Sequence, residues 1–585
     1  MDRSRLLRLT LLLLVIGYGA LLRFDALTLT YGTVQSPAWL RGLQESRGTT
    51  TALRPADFTW ERWQGRYISD PYTYLIFARE MRSFYAAHHR EPLFPFATRV
   101  SLRLLDNQDI AVSFASLFFS VLAIGATFLL GRAAFNFWVG LGAATALAIE
   151  FEAVSWGVGG WRDDAFMCAV VLSAWAMLRM LRDPSPRNAA IAGAVAAAAC
   201  LTRITSLSFL LPALAFLVVA LPLTWRSRLR PLGITVAVAM LLAGPYLVNC
   251  WRTFGDPLYA INVHADVYRA AEGQQVEGAQ TASQYIRGTL LHRPWAAIDT
   301  GLQGMTIYPF TNKWTGFDPW SRQLGTVLSW LALLGLFVFL GIPAGRLLLV
   351  VLAGSLVPYA LTWKLIFDWR FTMHAYPFFL LASFYALHET VVLLRPSRLR
   401  ELMQHRPQRG RVVRWTAGLA FAAALVVVML VVVPPRAAAE TLRAGEPVSF
   451  GPYLRDRIYF DNGWSSPSTE GNVVARISTG GAARLHLPLP EVRDYVMTIR
   501  MDPFPAPATD GATSSSLVHV SLNNQPVGMV QLQWDPQRIG SYRLTIPASA
   551  VRSGRNRLTL RRSDREGREA GIRFWYVRVR TAPTR

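Results

Sequence analysis

Asp70, Asp163 and Asp164 are the residues best suited by type and setting to do chemistry in this sequence. Asp70 is the second residue of the stretch SDPYTYL and is followed at once by Pro71. Asp163 and Asp164 close the stretch GGWRDD beside Arg162. A carboxylate can act as general base on a hydroxyl, and paired carboxylates can hold a divalent cation. Simpler readings exist for each. Asp-Pro is a common helix start, with Asp as cap and Pro at the first helical position. Asp163 and Asp164 would likewise favour the N-terminus of a following helix. Two acids, an Arg and a Gly-Gly turn exceed what a cap requires, and ionisable groups beside hydrocarbon are costly enough to suggest function. Glu150 and Glu152, a few residues earlier in AIEFEAV, point to different sides of a helix and are open to a snorkelling or ion-pairing role.

Cations recur in the same sequence neighbourhoods. Arg162 precedes the aspartate pair, Arg203 interrupts two apolar blocks, and Lys364, Asp368 and Arg370 bracket a short turn. One such cation alone is most simply a lipid-phosphate anchor. Several beside carboxylates suit a phosphate-bearing ligand, because Arg matches phosphate oxygens bidentately.

The elements that must position these residues are mostly membrane spans. The 585-residue chain is 52% hydrophobic with a formal net charge of +23. On a soluble domain that charge would suggest nucleic acid. Here the apolar residues come in long blocks, which point to a bilayer and against a nucleic-acid partner. Almost all the positive charge is Arg, with Lys only at Lys313 and Lys364. Cys168, Cys200 and Cys250 sit in apolar blocks with no disulfide or metal spacing.

Leu6 to Arg23 read as an uncleaved first span. Ten further blocks follow at about 109–134, 137–157, 165–182, 189–203, 205–222, 231–250, 324–341, 347–364, 371–394 and 413–433. Basic residues at Arg132, at Arg179 to Arg187, at Arg226 to Arg230, at Arg346 and from Arg395 to Arg414 then share one side. By the positive-inside bias that side is cytoplasmic, so the N-terminus is expected inside and the C-terminal tail outside.

The outer segments are expected to be 25–108, which holds Asp70, and the polar loop 251–322, which holds Asp256 in FGDPLY and His264. Tyr74, Phe77, Met81, Phe84 and His88 recur at helical spacing, predicting an amphipathic helix through this part of 67–94. From about residue 440 the apolar residues alternate, as in Leu485, Leu487 and Leu489, with turn signals between them. That pattern predicts many short strands and a β-sandwich or jelly roll. The expected domains are therefore 1–435, transmembrane, and 440–585, extracytoplasmic. Trp464, Trp534, Trp575 and Tyr576 are more simply core residues than sugar-stacking ones.

These motifs, in this order, resemble the GT-C class of integral membrane glycosyltransferases over residues 5–395. Within that class the chain is similar to the protein O-mannosyltransferase and aminoarabinose-transferase branch. The matching pieces are SDPYTYL with Asp70, WRDDAF with Asp163 and Asp164, FGDPLY from Phe254 to Tyr259, LTRITS around Arg203 and WRFTMHAYPF around Arg370. The sequence departs from the branch in the length between the first span and Asp70, and in an RDD motif that leaves open which aspartate matters.

The resemblance implies a polytopic α-helical GT-C enzyme that moves a hexosyl or pentosyl group from a polyprenyl-phosphate donor to an acceptor hydroxyl on a glycan or protein, with inversion. It implies Asp70, Asp163 and Asp164 as catalytic residues, and Arg162, Arg203, Lys364 and Arg370 at the donor phosphate. Tyr72, Tyr74, Glu91, Asp256, His264 and His374 are weaker candidates for contacts to sugar or acceptor. A divalent cation, if used, would sit on Asp70 with Asp163 or Asp164. The expected location is a bacterial inner membrane. The β region is similar to carbohydrate-binding-like modules of cell-wall glycosyltransferases. The rival readings are an oligosaccharyltransferase, whose WWDYG-type motif the sequence lacks, a lipid-glycan flippase or transporter, and a non-catalytic scaffold.

Overall fold

The computed structural model describes residues 3–30, 37–46, 67, 69–263, 281–310, 325–362, 369–394, 427–451, 454–470, 473–479, 481–504, 516–532, 539–563 and 571–582. His264, Lys364, Asp368, Trp534 and most of the expected span at 413–433 lie outside them. The contacts divide the chain into two compact units. One comprises Met1–Ala282, Gly304–Asn312 and Asp318–Arg406. The other comprises Ser283–Gln303, Lys313–Phe317 and Pro407–Arg585.

The first unit is helical: α1 (Arg3–Thr30), α2 (Ala38–Ser46), α3 (Ser69–Glu80), α4 (Leu93–Leu104), α5 (Ala111–Ala134), α6 (Phe137–Ile149), α7 (Phe151–Trp156), α8 (Asp163–Arg182), α9 (Pro186–Thr202), α10 (Leu207–Ala220) and α11 (Trp225–Phe254), then Gly325–Phe339, Pro343–Thr362 and Tyr376–Leu393. Among the described residues, five helices are long and apolar enough to cross a membrane, and three shorter apolar ones accompany them. The chain is a multi-pass membrane protein with a mostly helical fold. The bundle packs α5 on α6 and α8, and α9 on α8 and α11. Gly131 and Gly140 let α5 and α6 touch, since a Cβ on Gly131 would lie 2.6 Å from Gly140 Cα. Small residues at a helix contact are how backbones approach closely in a bilayer, where the hydrophobic effect does not drive association.

Two helices end earlier than their patterns predict. The amphipathic segment is helical only to Glu80, and residues 81–92 turn back along it. His88 returns to stack on Phe77, ring centroids 3.7 Å apart. The periodic apolar positions thus meet by a reversal of the chain. The block 137–157 is broken at Glu150, whose backbone is extended and whose carboxylate accepts hydrogen bonds from the Glu152 and Ala153 amides. Glu150 is therefore the N-cap of α7. At the other expected break, Arg203 adopts extended backbone between α9 and the 3-10 turn Ile204–Ser206.

The second unit contains the β domain. Its strands are β1 (Val448–Phe450), β2 (Ser468–Glu470), β3 (Val473–Ile477), β4 (Ala482–Leu489), β5 (Tyr495–Phe504), β6 (Ser516–Leu522), β7 (Gln525–Leu532), β8 (Ser541–Ile546), β9 (Gly554–Ser563) and β10 (Gly571–Thr581). They form one sheet ordered β2-β3-β10-β5-β8, with β1 also on β10, and a second ordered β4-β9-β6-β7. The alternation is as expected: Leu485, Leu487 and Leu489, Val518 and Val520, and Leu558 and Leu560 are all buried in one core. Asn523 and Asn524, both at positive φ, make the two-residue turn between β6 and β7, a conformation that Asn tolerates and that matches strand twist. Trp464 and Trp575 belong to this body: Trp464 leans on Phe460 and Phe574, and Trp575 is 7% exposed. Tyr576 has the Arg500 and Arg578 guanidinium groups over its ring.

Candidate active site

Asp70 lies in the first turn of α3. One carboxylate oxygen is paired with Arg90, and the other faces Arg370 at 3.8 Å. Its side chain keeps a quarter of its surface exposed. Arg90 arrives on the reversed stretch after α3, and that stretch is pinned from α11. The Tyr246 hydroxyl donates to the His88 carbonyl, and the Asn249 amide donates to the Tyr85 carbonyl. The Arg370 guanidinium carbon lies over the Trp161 ring, 3.7 Å from its centroid. Trp161 follows Gly160, whose φ of +79° is a left-handed conformation and where an added Cβ would lie 3.0 Å from Val112 Cγ1 and 3.4 Å from Pro71 Cβ. A side chain at that position would be strained, so the turn into Trp161-Arg162-Asp163 needs glycine.

Two buried ion pairs stand in the same cluster. Arg162 pairs with Glu91, whose other oxygen accepts the Ile204 amide at 2.7 Å. Arg203 donates to Asp163 at 2.8 Å and to the Tyr359 hydroxyl at 2.5 Å. Glu91, Arg162, Asp163 and Arg203 are each less than 8% exposed, and a buried charge is tolerable when paired and hydrogen-bonded. Burial by itself would lower the affinity of the Arg162 guanidinium for its proton, and Glu91, Tyr74 and Asp70 together more than reverse that.

Tyr74 joins the two halves. It is fully buried, and the Arg90 and Arg162 guanidinium carbons lie 5.7 and 5.9 Å from its ring centre. Burial pushes its phenol up to about 12, so it is a donor at neutral pH. Its hydroxyl has no partner among the described residues, nor do Trp161 Nε1, Arg162 Nε and Arg203 Nε. Buried donors without acceptors are uncommon. Several at one place suit an anion.

Asp164 is fully buried and lies beside Asp163, Arg23 and the Ser116 and Ser120 hydroxyls. Arg23, from α1, is also fully buried. It donates to Ser120 and to the Leu147 and Ala148 carbonyls, closing the C-terminal end of α6. His374 sits behind Arg203, against Phe166 and Tyr359, with the Ser355 carbonyl 3.2 Å from its ring nitrogen. Tyr72 is half-exposed on the outward side of α3. Asp256 accepts from the Leu258 amide and the Asn262 side chain, which makes it a local turn cap.

The structure thus brings together Asp70, Asp163, Arg162, Arg203, Arg370, Tyr74 and Glu91. It places Asp164 and His374 one layer behind, and Asp256 in its own turn. Sequence reading missed Arg90, Trp161 and Arg23. Arg90 adjoins Glu91 and Trp161 adjoins Arg162, so adjacency to ionisable motif residues was the available signal. Among the described residues, no group of three or more His, Cys, Asp or Glu could hold a metal. The Asp70 and Asp163 carboxylates face guanidinium groups instead, a donor set that fits a divalent cation poorly, since cations already occupy the positions one would take.

Residues 89–248 match the model of the family described as dolichyl-phosphate-mannose-protein mannosyltransferase. The matched stretch contains Arg90, Glu91, Arg162, Asp163, Asp164 and Arg203, whereas Asp70 and Arg370 fall outside it. Similar solved structures include the apo oligosaccharyltransferase of Archaeoglobus fulgidus, at 14% identity and TM-score 0.41, covering 74% of this chain and 56% of that one. ArnT from Cupriavidus metallidurans bound to undecaprenyl phosphate is similar at 14% identity and TM-score 0.40, covering 74% of this chain and 69% of that one. The CBM36-1 domain of a xylanase from the hindgut metagenome of Trinervitermes trinervoides matches 24% of this chain over its whole length, at 8% identity and TM-score 0.18. The chain spans little over half the length of the oligosaccharyltransferase. No curated protein matches it. The chain resembles the GT-C glycosyltransferases, as its motifs imply.

Proposed function

We propose that the cluster around Asp70 transfers a sugar from a polyprenyl-phosphate donor to an acceptor hydroxyl at the extracytoplasmic face of a bacterial inner membrane. The observation that carries this reading is the gathering of one accessible carboxylate, four arginines and several unpartnered donors at one place. Asp70 is the general base, being the acid of the set with substantial exposure. Asp163 is buried and holds Arg203 in position. Asp164 stands behind it, toward Arg23.

In the step itself, the acceptor hydroxyl gives its proton to an Asp70 carboxylate oxygen. Its oxygen bonds to the anomeric carbon as the bond from that carbon to the phosphate oxygen breaks. The electron pair leaves with the phosphate, and the single displacement inverts the centre. The leaving group is a weak base and needs charge compensation more than a proton. Arg90, Arg370, Arg162 and Arg203 supply it, with the Tyr74 hydroxyl and Trp161 Nε1 as further donors. Binding of the phosphate to Arg90 and Arg370 also draws these cations off Asp70, so donor binding and release of the base are coupled.

The test is purified protein with a panel of polyprenyl-phosphate sugars. Donor consumption by wild type and a loss of about 100-fold or more in Asp70→Asn are expected, the range for removal of a general base. Equal turnover by both proteins removes Asp70 as the base. No consumption of any donor sinks the enzyme reading.

A further inference from the structure

The sheet β4-β9-β6-β7 has one face in the β-domain core and one in solvent, and the outward face is strongly basic. None of its four strands contains Asp or Glu. Their outward residues include Arg484 and His486 on β4, Arg555, Arg557, Thr559 and Arg561 on β9, and His519 and Ser521 on β6. The pairing sets His486 beside Arg557, Arg484 beside Thr559, His519 beside Arg561 and Ser521 beside Thr559. Arg555, Arg557, Arg561 and His519 are exposed. Successive outward residues on β9 are roughly 7 Å apart, and the next strand is about 5 Å away. The arginines therefore form a row along β9, widened by β4 and β6. Asp461, 3.3 Å from His486, stands at the margin.

An ordinary solvated face mixes charges of both signs, and like charges side by side cost stability. We infer that this face binds a linear anionic glycan, one carrying repeating phosphate or carboxylate groups. The row of charges matches a linear polyanion. Thr559 and Ser521 between the charges suit sugar hydroxyls. The outward positions just named include no aromatic side chain, so the face lacks the rings that stack on neutral sugars. A membrane-seated face would also carry a set of apolar anchors. Met529, opposite His519, is the exposed apolar residue here. As the acceptor of the transfer, such a glycan rests on the function proposed above; as a bound ligand it does not.

The experiment uses full-length protein in nanodiscs of neutral lipid, with fluorescent oligogalacturonate, a glycerol-phosphate oligomer and neutral dextran as probes. Both anionic oligomers should bind and dextran should not, with binding weakened by salt as charges are screened. Replacing Arg555, Arg557 and Arg561 together with Gln should weaken binding about tenfold or more, and replacing them with Lys should restore most of it, since phosphate and carboxylate are also met by a point charge. Thermal melting checks that the variants are folded. Equal binding of dextran, or equal affinity in wild type and the Gln variant, overturns the inference. Capture of vesicles containing phosphatidylglycerol, abolished by the same Gln variant in the absence of oligomer binding, also overturns it and assigns the face to lipid. Asp70→Asn should bind the oligomers like wild type. A wild type that binds them yet consumes no donor leaves the face standing and fails the transfer reading.

Discussion

Arginine stands in two contrasting settings in the two units. In the helical unit, Arg23, Arg162 and Arg203 are buried, and each is matched to named oxygens: the Leu147 and Ala148 carbonyls, Glu91, or Asp163 with Tyr359. On the outer face of β9, Arg555, Arg557 and Arg561 project into solvent from strands without a carboxylate. Burial explains the difference. A guanidinium out of water needs its partners close by, whereas an exposed one is satisfied by water and is held in place only by the strand.

The comparison breaks if substitutions in the two settings cost the same. The largest stability effect is expected at Arg203→Ala, which strands Asp163 in the interior. Loss of one partner of a buried pair costs about 3–5 kcal/mol, measurable as a large drop in melting temperature in detergent together with lost activity. Gly160→Ala comes next. A left-handed backbone with a Cβ costs about 1–2 kcal/mol, and the new methyl would meet Val112 Cγ1 at 3.0 Å. Lost turnover beyond the loss of stability would show that Trp161 and Arg370 depend on this turn.

A smaller effect sharpens the comparison through pH. Burial, then His89 and Arg90, hold the His88 imidazole down to about 4. Between that value and the ordinary 6.5 the unfolded chain binds a proton that the folded one does not. The His88 contribution to stability should therefore fall as pH drops from 6.5 toward 4 and level off below it. His88→Phe, which keeps a ring against Phe77, should flatten that slope in melts taken across the window. Smallest of all is Arg557→Ala, expected to change stability by no more than about 0.5 kcal/mol. A larger loss by chemical denaturation would mean that this arginine is a structural member of the sheet.

What the sequence made legible follows from range. The strand alternation at Leu485 to Leu489 and the break at Arg203 depend on neighbours in the chain, and both stand as read. The Asp70 and Asp163 motifs were visible because acids beside apolar blocks are costly. The end of α3 at Glu80 was not, because the apolar period continues through Phe84 and His88 while the chain reverses to pack on itself and on α11. Arg90 and Trp161 were hidden for a related reason. Their importance lies in contacts with Asp70 and Arg370, distant in sequence, which adjacency to Glu91 and Arg162 signals only indirectly. Glu150 was ambiguous because a cap and a buried acid look alike until the backbone around them is known.

Arg23 carries a consequence for biosynthesis. The carbonyls that receive it belong to residues 147 and 148, more than a hundred positions downstream. During translation the first hydrophobic segment therefore emerges with a cation whose docking groups have yet to be made. That segment reaches its final seat only after α6 has arrived, so α1 waits for a helix made more than a hundred residues later before it is locked.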